Sequence, residues 1–290
     1  MNFLPPNAAP FLGSSSDTPE PGKIAIYGVC YDGTTSFRPG TRSGPDGFRN
    51  VSDAGIETYS PTQDRDLEEV QFSDLGNLEI PTSAPEPVIQ AAYQATKYLL
   101  DAKTLPILLG GEHSISPGPI RAAFEKYPNL AVLQFDAHAD LREDWNGSRN
   151  SHACAMRRVL DFLPADSLLQ VGIRSGTRAE FQEMRSAQRL IPADANSLSA
   201  ALKRFLNRPL YLTFDLDLFD PSQVPGTGTP EPGGITWQTA EALLSTLQEA
   251  QIVAADLMEL SPPLDPSQTS QVLAAKLLRE LILLLDPLPR

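Results

Sequence analysis

Leu130-Ala131-Val132-Leu133-Gln134-Phe135-Asp136-Ala137-His138-Ala139-Asp140 reads as a buried-type strand that ends in Asp-x-His-x-Asp. Along an extended chain, alternate side chains point to one face, so Asp136, His138 and Asp140 converge on one point. Two further apolar runs end the same way. Leu105-Pro106-Ile107-Leu108-Leu109 leads into Gly110-Gly111-Glu112-His113-Ser114, and Pro209-Leu210-Tyr211-Leu212 leads into Phe214-Asp215-Leu216-Asp217. Strand ends of this kind are where open α/β sheets keep their sites. The chain has three histidines, His113, His138 and His152, and all fall in or beside these clusters.

Outward from these runs, strand patterns alternate with helical ones. Strands are read at 23–29, 70–76, 105–110, 130–136, 168–173, 190–192, 209–215 and 252–259. Helical spacing is read at 85–102, 119–126, 153–163, 178–185, 198–206, from Thr236 as N-cap to about 250, and at 267–285, with a short helix opened by Gly44-Pro45. Roughly eight strands interleaved with helices predict a parallel sheet covered on both faces. Residues 1–22, rich in Pro, Ser and Gly, read as an irregular N-terminal arm, mobile or draped over a neighbour. The remainder, 23–290, shows no linker or repeat and reads as one domain.

The chain has 290 residues, 41% of them hydrophobic and 20% charged, which is globular composition with length enough for a sizeable core. A net charge of −13 sets it against nucleic acid and anionic membrane and mildly attracts cationic solutes. Two cysteines, Cys30 and Cys154, without Cys-x-x-Cys spacing, predict neither a disulfide framework nor a structural zinc site, and point to a reducing cytoplasm. No apolar run reaches the roughly twenty residues of a membrane span. Met1–Pro6 lacks the basic region of a signal peptide.

His113, Asp136, His138, Asp140, Asp215 and Asp217 together make four carboxylates and two imidazoles. Without thiolate, such a set leans to a harder ion such as Mn²⁺. Six ligands exceed what one ion takes while leaving room for substrate. Two ions about 3.5–4 Å apart, sharing carboxylates, use them better. The reaction class this predicts is metal-assisted hydrolysis. The loop 32–40 is not a P-loop, since the Gly-Lys-Ser/Thr ending is missing.

Gly110-Gly111-Glu112-His113-Ser114, Asp136-Ala137-His138-Ala139-Asp140, Ser151-His152-Ala153, and Phe214-Asp215-Leu216-Asp217 with Asp220-Pro221 and the tail 225–234 resemble the ureohydrolase family of arginases and agmatinases, in family order from about Ile24 to Leu284. The resemblance implies a three-layer α/β/α fold with an eight-stranded parallel sheet, and assembly as a homotrimer or homohexamer. It implies two Mn²⁺ per subunit: one held by His113, Asp136, Asp140 and Asp215, the other by Asp136, His138, Asp215 and Asp217. Glu259, in Asp256-Leu257-Met258-Glu259, matches the family's guanidinium-binding glutamate. His152 matches its proton-shuttle histidine, and Thr229 a threonine near that histidine and the substrate. Asp140 would pass a proton from the attacking hydroxide to the departing amine, and a pKa near neutrality would suit His152 to the relay.

Within the family, the stretches 31–40, 171–175 and 225–234 look like agmatinases, which implies hydrolysis of a small cationic guanidino substrate, agmatine, to putrescine and urea. In the loop 141–151, Glu143 and Asp144 would suit a cationic tail, whereas Arg142 and Arg149 would suit the carboxylate of guanidinobutyrate. Guanidinobutyrase or arginase activity is therefore the same-fold alternative, and a catalytically silent regulatory subunit the alternative of another class. Trp145 is a candidate for the substrate entrance, and Cys154 and Met156 for core packing.

Overall fold

The computed structural model describes residues 1–14, 18–81 and 84–286. Residues 15–17 of the expected arm, and 82–83 and 287–290 of the expected domain, lie outside the described residues. Eleven strands occur among the described residues: β1 (Phe3–Leu4), β2 (Ile24–Gly28), β3 (Tyr59–Ser60), β4 (Arg65–Asp66), β5 (Phe72–Leu78), β6 (Leu105–Leu109), β7 (Ala131–Phe135), β8 (Leu168–Val171), β9 (Leu190–Ile191), β10 (Pro209–Asp215) and β11 (Gln251–Met258). Nine form one sheet in the order β1-β5-β2-β6-β11-β10-β7-β8-β9, while β3 and β4 pair separately. Eight of the nine are parallel and β1 runs antiparallel at the edge. Early strands build one wing and middle strands the other. The last two, β10 and β11, fill the gap between β7 and β6, so the centre of the sheet is completed only near the end of the chain.

The reason the central strands read as unbroken apolar runs is visible in their alternation. Ile24 and Ile26 join the core on one face of the sheet, and Ala25 and Tyr27 join that on the other. Leu133, Phe135, Leu212 and Phe214 likewise share the first core, while Val132 and Tyr211 lie in the opposite one. A strand buried on both faces has no position for a solvated side chain. The first face is covered by α1 (Gly44–Asn50), followed by the short α2 (Ser52–Gly55), and by α7 (Ala195–Leu202), α8 (Trp237–Ser245) and α9 (Thr269–Leu285); the second is covered by α3 (Pro85–Asp101), α4 (Pro117–Lys126), α5 (Ala155–Leu160) and α6 (Arg178–Ser186). The result is three layers.

Three expectations are corrected. The arm is not irregular throughout: Phe3 and Leu4 pair with Leu78 and Asn77, and Phe11 is fully buried, its amide donating to Asp74 Oδ2 at 2.9 Å. Burying that ring is worth about 1.5–3 kcal/mol. A polar, Pro-rich composition hid one well-placed aromatic anchor. The helix expected over 153–163 opens as a tight 3₁₀ turn, His152–Cys154, before α5, because Cys154 takes a non-helical ψ near 2°. The helix begun at Thr236 stops at Ser245, where the Thr246 hydroxyl donates to the Leu243 carbonyl at 2.7 Å and competes with continued helix. Thr236 itself caps as expected, accepting from the Thr239 amide.

Candidate metal centre

β6, β11, β10 and β7 are consecutive in the sheet, and each releases a site residue at its C-terminal end. His113 follows β6, Glu259 follows β11, Asp215 closes β10, and Asp136 follows β7. These four adjacent ends surround a pocket of about 170 Å³ lined by His113, His138, Asp140, His152, Asp215, Asp217, Thr229 and Glu259, with Ser36, Arg142, Trp145 and Ala153 at its wall. Asp136 lies beneath, fully buried. A larger groove of about 630 Å³ includes the starts of β6 and β11, at Leu105 and Gln251, but both metal-competent groups found among the described residues are at the strand C-terminal ends.

Those two groups are His113, Asp136 and Asp140, and Asp136, His138 and Asp217. Asp136 is common to both. Asp215 belongs to neither close trio; its Oδ2 reaches His113 Nδ1 at 3.2 Å while its Oδ1 accepts the Asp217 amide at 2.8 Å. The second trio closes through His138 Nδ1 and Asp217 Oδ2, 2.9 Å apart.

The backbone is bent to achieve this. Asp140 and Glu259 adopt left-handed φ of 53° and 68°, uncommon for non-glycine residues and recurrent at functional sites. Each turn is tied. The His138 amide donates to Asp136 Oδ1 at 2.6 Å, the Ala137 amide to Asp217 Oδ1 at 3.2 Å, and the Glu259 amide to the Gly111 carbonyl at 2.8 Å. At Gly111 a Cβ would fall 1.8 Å from the Tyr31 carbonyl oxygen, so only glycine lets the two loops close.

The donors fit a hard cation. His113 Nε2 faces Thr213 Oγ1 at 2.8 Å, but its buried Nδ1 has no hydrogen-bond partner, although oxygens of Asp136, Asp215 and Asp140 stand 3.0, 3.2 and 3.3 Å away. An imidazole nitrogen within 3.3 Å of three carboxylates is arranged for a shared ion. Oxygen and nitrogen donors without sulfur match Mn²⁺-like rather than thiophilic metals.

Burial disfavours a charged His138, yet Asp217 and Asp136 outweigh it and push the imidazole up to about 12. Burial likewise opposes charge on His113, but Asp136 and Asp215 hold it well above the ordinary value. Both shifts favour the protonated imidazoles in the metal-free protein. Their contribution to its stability is complete below about pH 6.5 and is lost as the pH climbs towards the folded values. Ligation needs neutral imidazole. Metal uptake is expected to release protons, and affinity to rise with pH by up to tenfold per unit for each proton displaced. Calorimetry in buffers of different ionisation enthalpy checks this; uptake without proton release would contradict it.

His152 departs from expectation. Burial, with further lowering by His138 and His113, holds it at about 4 rather than near neutrality. It enters neutral-pH chemistry as an uncharged acceptor. Glu259 is raised well above the ordinary carboxylate value, first by burial and then by Glu112, while the His113 amide donates to its Oε1 at 2.7 Å.

At the pocket mouth, Glu143 is committed to Arg157 and Arg158 at 3.3 and 3.2 Å and is not in the wall. The Arg142 guanidinium lies 4.2 Å from the Trp145 ring, and both are in the wall. Cys154 and Met156 are fully buried packing residues.

Sequence reasoning passed over several supports. Gln134 Nε2 donates to Asp136 Oδ2 at 2.7 Å, and Gln170 Nε2 donates to Gln134 Oε1 at 2.7 Å. The signal was present: an amide in the middle of a doubly buried strand needs partners. Thr34 and Ser36 beside His152 carried no such signal, because hydroxyls are ordinary in a loop.

A family model described as the arginase family matches residues 22–284. The agmatinase of Bacillus cereus is 39% identical over 271 residues, covering 91% of this chain and 92% of that protein. The structure of proclavaminate amidino hydrolase from Streptomyces clavuligerus superposes with a TM-score of 0.89 at 27% identity, covering 97% of this chain and 98% of the other. Agmatine ureohydrolase of Thermoplasma volcanium superposes with a TM-score of 0.81 at 30% identity, over 91% and 90%.

Proposed function

The chain belongs to the arginase family, and from that premise we propose that it is a guanidino hydrolase that cleaves agmatine to putrescine and urea. The observation that carries the reading is the pair of carboxylate–imidazole groups sharing Asp136, directly beside a buried glutamate, at four adjacent strand ends. Residues 23–290 act as one catalytic domain.

His113, Asp136, His138, Asp140, Asp215 and Asp217 would hold two Mn²⁺ per subunit. When bound, such ions supply Lewis acidity and lower the pKa of water from 15.7 towards about 7, making a nucleophile at neutral pH. The protein's own residues do the rest. Glu259 Oε1 is fixed by the His113 amide, so its carboxylate is pre-oriented to take a guanidinium by charge-assisted hydrogen bonds. That cation favours the ionised form of a carboxyl that burial alone would keep protonated. A guanidinium carbon is a poor electrophile, and holding it in attack geometry supplies part of the missing reactivity. An amine leaves far better protonated; Asp140, which lines the pocket, would carry a proton to it. His152, uncharged at neutral pH, accepts and passes a proton at the wall. Thr229, whose hydroxyl donates to Asp217 Oδ2 at 3.4 Å, positions that carboxylate and borders the substrate.

A second reading is favoured by one observation. Arg142 stands in the wall stacked on Trp145 and makes no ion pair among the described residues, which suits a substrate with a carboxylate tail, as in guanidinobutyrate. Urea release from Mn²⁺-loaded enzyme across agmatine, guanidinobutyrate, arginine and guanidine decides between them: agmatine is expected to give the highest kcat/KM. No urea from any of the four would reject the enzyme in favour of a silent binding subunit. Assembly as a trimer or hexamer in the cytoplasm, serving polyamine synthesis, completes the proposal; a monomer by light scattering at micromolar concentration would reject the assembly.

A further inference from the structure

Beside His152 lies a chain of hydrogen bonds that the reaction scheme above does not use. The Glu112 carboxylate, nearly fully buried, accepts from the Thr34 amide at 2.9 and 3.1 Å, from Ser114 Oγ at 2.6 Å, from Thr35 Oγ1 at 3.2 Å, and from Thr34 Oγ1. A threonine hydroxyl has one proton, and here it is given to Glu112. Towards its other neighbours Thr34 Oγ1 can only accept. It accepts the His152 backbone amide at 3.1 Å, and its remaining lone pair meets His152 Nδ1 at 3.4 Å. Across the ring, Nε2 stands 3.2 Å from Ser36 Oγ, in the pocket wall. Ser151 Oγ, 3.4 Å from Nδ1, can serve either tautomer and selects neither.

In a neutral imidazole one nitrogen carries the proton and the other the lone pair, and the partner of one decides the role of the other. We propose that Thr34, oriented by Glu112, holds His152 as the Nδ1–H tautomer and leaves Nε2 as the atom that takes up and passes on the proton. Thr34 is then a positioning residue, acting only through His152. The inference rests on the shuttle reading of His152 and adds the atom that performs it. The proton bookkeeping closes within the chain: the Thr34 proton stays on Oγ1, directed at Glu112, the Nδ1 proton stays on Nδ1, directed at Thr34 Oγ1, and only the Nε2 site gains and loses one per turnover.

The test is a double-mutant cycle with a spectroscopic arm. His152→Ala in the Mn²⁺-loaded enzyme is expected to lower kcat by about 10²–10⁴-fold, the range for a general acid–base group. Thr34→Val, which loses the acceptor, should lower kcat by about 10–100-fold, as loss of an orienting partner does, with KM and bound metal unchanged. Thr34→Ser should restore it. In the His152→Ala background, Thr34→Val should cost less than about threefold, because coupled residues are not additive. Thr34→Ala gives the same comparison should the valine protein not fold. Nitrogen-15 shifts of His152 in metal-free protein near pH 7 should report Nδ1–H in the wild type and a move towards Nε2–H in Thr34→Val. Wild-type protein found as Nε2–H, or an equal Thr34→Val penalty with and without His152, overturns the proposal. A fast His152→Ala enzyme overturns the shuttle reading and this inference together. A slow His152→Ala beside a fast Thr34→Val overturns this inference alone.

Discussion

Asp136→Ala is expected to strip both metal groups at once and to lower urea release by about 10⁴-fold or more, the scale on which essential members of one catalytic unit fail. Asp136 is the residue common to both trios, and its carboxylate is held from two sides, by the Gln134 amide at 2.7 Å and the His138 backbone amide at 2.6 Å. His113→Ala should loosen chiefly the group it shares with Asp140. Asp215→Ala probes its proposed role as second bridge, since its Oδ2 lies 3.2 Å from His113 Nδ1 outside either close trio. Elemental analysis of protein dialysed against Mn²⁺ separates these cases. Two ions per wild-type chain and fewer than one in Asp136→Ala is the expected result. One ion or fewer in fully active wild-type enzyme would sink the binuclear arrangement.

Glu259→Gln should reduce kcat/KM by about 10⁴-fold with both ions retained. The carboxylate is nearly fully buried, and loss of one partner from a buried, hydrogen-bonded charge pair costs roughly 2–5 kcal/mol, up to several thousandfold. The displaced carbon adds to this, since a misplacement of about 1 Å can cost 10²-fold more. Glutamine keeps the shape and still accepts the His113 amide, so the fold and the metal groups should survive. The pH behaviour follows with a definite sign. Because burial raises the Glu259 pKa, the charge that binds guanidinium is lost as pH falls, and wild-type kcat/KM should decline on the acid side. In Glu259→Gln that decline should flatten. A steep acid limb that survives in Glu259→Gln at equal metal content would assign it elsewhere, to competition between protons and metal at His113 and His138.

What was legible in the chain by itself is what local chemistry imposes. Leu105–Leu109 and the runs 131–133 and 209–212 are apolar because both faces of a covered parallel strand are buried, and that requirement is written residue by residue. Asp136, His138 and Asp140 announced metal ligands by type and spacing, but not by one extended face: β7 ends at Phe135 and Asp140 turns left-handed, so His138 and Asp140 fall to different groups that share Asp136. Their association with Glu259 was legible only through resemblance to a family.

Other features were decided by partners far away in sequence. Phe3 and Leu4 look like any loop until β5, over seventy residues on, offers an open edge. His152 reads as a near-neutral histidine until burial lowers it to about 4, a cost of desolvation that no short stretch encodes. Glu143 resembles a substrate contact until Arg157 and Arg158 claim it and leave Arg142 in the wall. Thr34 becomes an acceptor towards His152 only because its single hydroxyl hydrogen is donated to Glu112, carried on another loop. Periodicity records what each residue needs from its own element. Protonation, tautomer and wall composition depend on which neighbours the sheet order delivers, and that order is complete only when β10 and β11 close its centre.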